Sequence, residues 1–316
     1  MKFFLSKLTH LIVVFFGISV LTFLLIRALP GDPALALAAQ SGAADPQLIA
    51  EIRSDLGLDL PLWQQYATWM LNILQGNFGE SYRNNQPVVT GILNSLPVTA
   101  HLVFMAQVVS LAIAVPVALY VVPRRDGWLD RTVAVIVFAL QAIPNYVLAM
   151  VGISIFAVAL GWLPAVGYTP LSQGVWDSTA SLILPTIAVS GLLVAVYIRV
   201  LRESTIETLR MDYILVGRSL GYSRRQLLWN FALKPSLPPL VTVVGLHVGV
   251  LLGGAVVVEV ISGLPGIGTL LLNAINNRDY TTVQALVLLF AVVFVVVNFI
   301  TDLIHMAIDP RVRETS

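Results

Sequence analysis

Ionisable side chains inside long apolar stretches are the residues of this sequence with the clearest capacity for chemistry. His101, His247 and Glu259 lie in or beside segments that otherwise carry no charge. Such groups are costly at membrane depth and often bind a substrate or relay protons. Glu259, near the end of its segment, is therefore a candidate substrate contact, with extension of its carboxylate to the membrane interface or an ion pair to Arg278 as the alternatives. Packed polar side chains are the simpler interpretation of the two histidines.

Several kinds of chemistry are excluded by composition. The chain has no cysteine, which removes disulfides, thiolate metal sites, iron–sulfur clusters and cysteine nucleophiles. None of its three lysines, Lys2, Lys7 and Lys234, follows a glycine, so the Gly-Lys-Ser/Thr core of a phosphate-binding loop is missing. No residues have metal-ligand spacing, and a net charge of +1 gives no reason to expect nucleic acid binding. We expect no metal site and no bound cofactor, and if the protein uses a nucleotide, another subunit binds it.

A basic loop at about 200–235 has strong helix signals. Asp212 can cap a short helix that runs to Leu220 and ends at Gly221, because glycine readily adopts the left-handed conformation that closes a helix. Ser223 and Gln226 have the spacing of a capping box and start a second helix. The loop thus predicts a helix, a glycine turn and another helix. Simple anchoring to anionic lipid is the alternative role for its arginines.

Prolines and glycines punctuate the apolar segment after this loop. The prolines are expected to break the chain before the segment begins, and they are Pro235, Pro238 and Pro239. A stripe of glycines at every fourth position follows, made of Gly245, Gly249 and Gly253. Such a stripe allows close approach of another helix. Helix packing is therefore its expected role, with lining of a translocation path as the alternative.

The elements that position these residues are membrane helices. Apolar residues make up 57% of the chain and charged residues only 11%, against about 25% in a soluble domain. A span needs roughly 20 apolar residues, and the long uncharged windows hold six. We predict an all-α polytopic protein with spans at about 8–26, 100–122, 132–160, 180–199, 239–260 and 282–305. Gly161, Pro164, Gly167 and Pro170 mark a loop after the third span.

Charge asymmetry orients these spans. Fourteen of the 18 Lys and Arg residues fall in the two ends and the loops on one side of the predicted bundle. Because Lys and Arg stay in the cytoplasm, both termini of this multi-pass membrane protein are expected there. The alternative for the first span is a secretory signal cleaved after residues 36–38, Ala-Leu-Ala.

The largest loop on the opposite side covers about residues 30–97. Asp45 and Pro46 are a typical helix start, and Gly57 a typical end. Pro61 opens a second amphipathic helix that Gly76 ends. We predict an N-terminal part at 1–99, made of the first span and this extracytoplasmic helical segment, and a transmembrane domain at 100–316. The segment is expected to lie on the bundle as a lid, with contact to a soluble partner as the alternative.

The basic loop carries a family resemblance. Residues 210–221, Arg-Met-Asp-Tyr-Ile-Leu-Val-Gly-Arg-Ser-Leu-Gly, resemble the EAA loop of membrane subunits in binding-protein-dependent ABC importers, and the match continues through 231–239. The Glu and Ala residues that name the loop are replaced by Leu215, Val216 and Gly217, whereas Gly221 keeps the family spacing.

Further segments extend the resemblance, in order, over nearly the whole chain. They resemble the dipeptide and oligopeptide branch of these permeases and lie at residues 21–33, 56–61, 161–164, 263–268, 277–280 and 309–313.

This resemblance implies a fold, a function and partners for a non-catalytic subunit of the bacterial plasma membrane. The fold is the type I ABC importer permease fold, and the function is import of di- or oligopeptides along a path shared with a second, homologous permease. Two ABC ATPase subunits or domains would hold ATP and Mg, and an extracytoplasmic peptide-binding protein would deliver the cargo. The coupling helix, at about 212–220, would dock on an ATPase. The residues implied for this ATPase-coupling loop are Asp212, Tyr213, Val216, Gly217, Leu220 and Gly221.

Two other functions compete with this interpretation. An ion-coupled secondary transporter usually has buried carboxylates in several spans and internal repeats, and neither is evident in the sequence. An intramembrane protease needs an activated serine, but no nucleophile-elbow sequence surrounds Ser154 or Ser190.

Overall fold

The structure is a computed structural model that describes residues 2–28, 34–35, 46–55 and 57–308. The predicted Asp45 cap and the Ala-Leu-Ala sequence at 36–38 lie outside these residues. The helices are α1 (Lys2–Ala28), α2 (Pro46–Asp55), α3 (Leu62–Leu74), α4 (Val88–Val121), α5 (Trp128–Ala142), α6 (Asn145–Ala159), α7 (Val175–Thr208), α8 (Asp212–Ser219), α9 (Arg224–Ile261), α10 (Ile267–Asn276) and α11 (Tyr280–Ile308).

The long helices are apolar enough to cross a membrane. In the part of the chain that the structure describes, four pass by length and composition, namely α4, α7, α9 and α11. The pair α5 and α6 makes a fifth if it is counted as one span, and α1 contains a shorter apolar stretch, Ile12–Leu24. The protein is therefore a helical membrane protein with several spans.

The predicted span at 132–160 is divided into two helices in the structure. It is α5 and α6, whose axes differ by 95°. Ile143 between them is extended, with φ −90° and ψ 121°, and Pro144 caps α6. The residue before a proline avoids the helical region, and proline itself has no N–H to continue the ladder, so the helix breaks here.

Two other predicted boundaries differ from the helices. α4 begins at Val88 rather than near 100, with Pro97 inside it, and α7 continues past 199 to Thr208. For α4 the assumed span length of roughly 20 residues was too short, since no charged residue lies between 84 and 123. α7 continues past its uncharged window with charged residues such as Arg199 and Arg202. The predicted division between residues 99 and 100 falls inside α4.

The prolines at the start of α9 do not break the chain, so this prediction was wrong. Pro238 and Pro239 lie inside the helix, which is continuous from Arg224 to Ile261. A π-helical stretch, Leu227–Ala232, comes directly before them. In membrane helices such local widening and nearby hydroxyls satisfy carbonyls that proline leaves free. The Phe231 carbonyl, which lies four residues before Pro235, accepts from Tyr213 Oη at 3.5 Å.

The core lies between α4, α7 and α9. α4 and α7 form the most extensive helix contact, and Leu193, Tyr197 and Leu201 of α7 are fully buried in it. Tyr197 Oη donates to Gln107 Oε1 at 2.7 Å, and Gln107 Nε2 donates to the Val244 carbonyl at 3.4 Å. This polar chain joins α4, α7 and α9 near the middle of the bundle.

The segment after α1 folds back on it. Gly57 and Gly76, at φ +63° and +80°, follow the ends of α2 and α3 as predicted. Tyr66 of α3 shares a 2.7 Å hydrogen bond with Ser19 of α1, and its ring packs edge-on against Phe23. α3 therefore contacts α1 through Tyr66.

Candidate coupling site and outer junction

The short helix α8 joins the ends of α7 and α9. Its N-cap is Met211, in extended conformation and without a side-chain cap bond, so the predicted cap at Asp212 is wrong. Asp212 is instead the first helical residue, where a carboxylate favours the positive end of the helix dipole. The N-cap of α8 is thus one residue before the position that the sequence suggested.

The end of α8 agrees with the sequence. Gly221 has φ +86°, and the Tyr222 N–H donates to the Gly217 carbonyl at 3.2 Å, as in a Schellman motif. Ser223 and Gln226 then form the predicted capping box: Ser223 Oγ accepts from the Gln226 N–H, and Gln226 Oε1 accepts from the Ser223 N–H. The turn between α8 and α9 is therefore fixed by two defined motifs.

One face of α8 packs firmly on α9. Ile214 and Gly217 are buried, and a Cβ at Gly217 would lie 2.7 Å from Leu227 Cδ2. Tyr213 Oη donates to the Phe231 carbonyl at 3.5 Å. Because glycine permits this close approach, α8 and the beginning of α9 are held as one unit.

The adjoining face of α8 is apolar and exposed. Tyr213, Val216 and Leu220 are 45%, 58% and 71% exposed, and rotation by about 100° per residue places them on the same side. Of the predicted coupling residues, these three present side chains for contact, whereas Gly217 and Gly221 shape the helix and its turn. An exposed apolar face rimmed by charge is typical of a protein interaction site.

The glycine stripe of α9 divides into two parts. A Cβ at Gly245 would collide with Thr301, and one at Gly249 would collide with the Phe294 ring, both on α11. A Cβ at Gly253 would have no neighbour within 4 Å. Gly245 and Gly249 therefore allow close packing of α9 on α11, whereas Gly253 borders open space.

Glu259 is the centre of a buried junction at the start of α10. It is 0% exposed, and it accepts a 2.6 Å hydrogen bond from Thr99 Oγ1 of α4 and a 3.1 Å bond from the Thr269 N–H. Thr99 Oγ1 in turn accepts from the Ile267 N–H at 2.8 Å. A Cβ at Gly266 would collide with the carboxylate. The carboxylate thus caps α10 and joins it to α4 and α9.

This geometry gives Glu259 a structural role. Its contacts are with Thr99 and backbone N–H groups rather than with Arg278. Gly266 and Gly268, in the sequence Gly-Leu-Pro-Gly-Ile-Gly at 263–268, make room for it. The substrate contact expected of Glu259 stays a prediction.

Two further carboxylates form connections that the sequence analysis missed. Asp279, 4% exposed, accepts from Ser81 Oγ at 2.6 Å and from Thr282 Oγ1 at 2.7 Å, which fastens the segment before α4 to the start of α11. Asp130 accepts from Arg202 Nε at 2.7 Å and from Arg202 Nη2 at 2.6 Å, which joins α5 to α7. The position of Asp279 directly before α11 could have indicated a helix cap. Asp130 and Arg202 are 72 residues apart in the sequence, and no local signal predicts such a pair.

Metal ligands do not gather in the described part of the chain: no three His, Asp or Glu side chains there are close enough to share an ion.

Comparison with known proteins decides the family. Residues 110–314 match the model of the binding-protein-dependent transport system inner membrane component, and residues 1–103 match the model of its N-terminal region. The chain belongs to this family. It is thus a permease of the ABC transporter class, a non-catalytic inner-membrane subunit, and the interpretation as an ion-coupled carrier is not supported.

Similar permeases match over almost their full length. The chain is 35% identical over 309 residues to a probable peptide ABC transporter permease protein of Sinorhizobium fredii, with 98% of both chains covered. It is 35% identical over 329 residues to a dipeptide transport system permease protein of Alkalihalophilus pseudofirmus, again with 98% of both covered. A glutathione transport system permease protein of Escherichia coli is 35% identical over 309 residues, at 98% of both chains.

A solved structure shows the fold of the permease. It is a chain of the MetNI methionine ABC transporter in an inward-facing conformation, which matches with a TM-score of 0.57 at 19% identity and covers 69% of this chain and 96% of that one. The fold is therefore that of a type I importer permease.

Proposed function

We propose that this permease is one of two membrane subunits of an importer for di- or oligopeptides, driven by separate ATPase subunits through α8. The exposed apolar face of α8, made of Tyr213, Val216 and Leu220, is the observation that carries the proposal. α8 is fixed to α9 through its buried residues and exposes an apolar face, and this arrangement is suited to binding a protein partner. The ATPases would hold ATP and Mg, and this chain would bind neither.

The proposed topology has six spans with both termini in the cytoplasm. α1, α4, the bent pair α5 and α6, α7, α9 and α11 supply the six. With α8 on the cytoplasmic side, the basic residues around it follow the rule that places Lys and Arg inside. The segment containing α2 and α3 then lies on the outer side, where an extracytoplasmic peptide-binding protein would deliver the cargo.

The proposed cargo class comes from the relatives. The three named permeases serve transport of a peptide, a dipeptide and glutathione, respectively, all compounds with amide bonds. Gly253 and Gly254, which border open space on α9, could offer backbone groups to such amides. A second, homologous permease would complete the path around this surface.

Reconstitution tests the proposal. The permease, its companion permease and the ATPases are placed in liposomes with the loaded peptide-binding protein, and uptake of labelled dipeptide is measured with ATP and with a non-hydrolysable analogue. We expect uptake only with ATP. Uptake by this chain alone, driven by an ion gradient without ATP, would overturn the assignment.

A further inference from the structure

A basic cavity lies beside α8, between the turn after α4 and the loop that carries the helix. Its volume is about 460 Å³. Four guanidinium groups surround it, those of Arg125, Arg210, Arg218 and Arg224. The rest of its wall is mainly apolar and includes Val122, Ile206, Leu209, Leu215, Leu227 and Leu228.

The charges around this cavity lack strong partners. No carboxylate among the described residues lines it, and none of them forms an ion pair within 4.0 Å with Arg210, Arg218 or Arg224. Arg125 has only Asp126, at 3.9 Å, in a pair that is 53% and 87% exposed. Exposed pairs of this kind contribute little. Four like charges around one cavity therefore favour an anion between them.

The position and lining of the cavity indicate which anion. It lies where the membrane helices α4 and α7 end, and its apolar wall is made mainly of residues at these helix ends, on α8 and at the start of α9. Guanidinium groups match phosphate oxygens in a bidentate geometry, and basic pockets at the cytoplasmic ends of membrane helices suit lipid headgroups. A free phosphate ion would use the arginines but not the apolar wall; a phospholipid would use both.

The cavity and the coupling face do not compete for α8. Leu215 and Arg218 border the cavity, whereas Val216 and Leu220 project about 100° or more away from them around the helix. A ligand in the cavity would therefore leave the coupling face free.

We propose that this cavity binds the phosphate headgroup of an anionic phospholipid from the cytoplasmic leaflet, beside the coupling helix. The proposal rests on the membrane orientation given under the proposed function. The lipid would neutralise the arginines and hold the loop of α8 against the membrane surface.

Native mass spectrometry of the intact transporter, titrated with phosphatidylglycerol or phosphatidylcholine, tests this proposal. We expect phosphatidylglycerol to bind at least tenfold more tightly. Since a basic residue near an anionic surface contributes about fivefold in affinity, R218Q/R224Q should weaken phosphatidylglycerol binding about 25-fold and leave phosphatidylcholine unchanged. The matched control R131Q/R199Q removes two exposed cytoplasmic arginines outside the cavity and should change binding less than twofold.

A second variant, L215E, keeps the proposal testable if R218Q/R224Q does not fold. L215E places a carboxylate at an exposed cavity position and should weaken phosphatidylglycerol binding as well. Equal binding of both lipids, or equal losses in R218Q/R224Q and R131Q/R199Q, would overturn the proposal. So would displacement of the lipid by millimolar inorganic phosphate, which indicates a free-anion site. Binding to the isolated chain but not to the transporter would assign the cavity to the ATPase. None of these measurements requires peptide uptake, so the failure of either proposal is recognisable separately.

Discussion

Removal of the exposed apolar side chains of α8 should uncouple the permease from its ATPase without unfolding it. Val216 and Leu220 are 58% and 71% exposed, so most of each side chain is available to a partner. Complete burial of a Val or Leu side chain contributes about 1.5–3 kcal/mol. Burial of the exposed part of each should therefore contribute about 1–2 kcal/mol. The double variant V216A/L220A is expected to lose roughly 2–4 kcal/mol of association free energy, or about 30- to 1000-fold in affinity.

The assay is the affinity of the ATPase subunits for detergent-purified permease complexes, together with the ATPase activity that loaded binding protein stimulates. The matched control is L215A, because Leu215 is 54% exposed on the same helix but borders the basic cavity. L215A should retain ATPase binding, and the melting temperature of V216A/L220A should stay near that of the unmodified protein. Equal loss of ATPase binding in both variants, or none in V216A/L220A, would refute the assignment of this face.

Three further predictions concern the packing of the bundle. E259A should destabilise the protein by about 3 kcal/mol or more, since each buried donor left without an acceptor costs about 1–3 kcal/mol; E259Q, which keeps one acceptor, should lose less in the same thermal unfolding assay. D130A should cost about 1–3 kcal/mol because Arg202 loses its bidentate partner, and D130A/R202M should recover part of it; full additivity in this double-mutant cycle would contradict a direct pair. G249L should lower the melting temperature through collision with α11, at about 1–3 kcal/mol, whereas G253L should not; equal effects would contradict the division of the glycine stripe.

Local signals predicted the turn after α8 correctly because the chemistry that forms it is local. Gly221 adopts the left-handed conformation for which glycine is suited, and Ser223 and Gln226 satisfy each other's backbone groups within a single turn. The same reasoning misplaced the start of α8 by one residue, since Asp212 is compatible with both the cap and the first helical position.

Prolines show where local reasoning is insufficient. Pro144 breaks a predicted span, whereas Pro238 and Pro239 lie within a continuous helix. The difference depends on whether the surroundings provide other partners for the freed carbonyl groups, and at α9 a π-helical stretch precedes the prolines. Hydropathy windows do not contain this information.

The partners of Glu259 could not be predicted from its position in the sequence. Thr99 lies 160 residues away, and the backbone donors belong to a helix that exists only after the 263–268 turn has formed. A carboxylate at membrane depth indicated a functional site, but a helix terminus nearby satisfies it just as well. The signal that could have indicated this role is the pair of glycines seven and nine residues later, Gly266 and Gly268, where a Cβ would collide with the carboxylate.

The helix α9 connects α8 to the buried junction around Glu259. Its 38 residues span about 57 Å, with Leu227 packed under α8 at one end and Glu259 fixed to α10 at the other. Close packing at Gly217 leaves no gap in which α8 could move independently, and packed interfaces shift between discrete arrangements rather than deform smoothly. A displacement of α8 must therefore move the start of α9 with it, and the close contacts of Gly245 and Gly249 pass that movement to α11. The open part of the glycine stripe, around Gly253, lies beyond these contacts along the same helix. A path for cargo that opens and closes there would thus be moved through a single continuous helix.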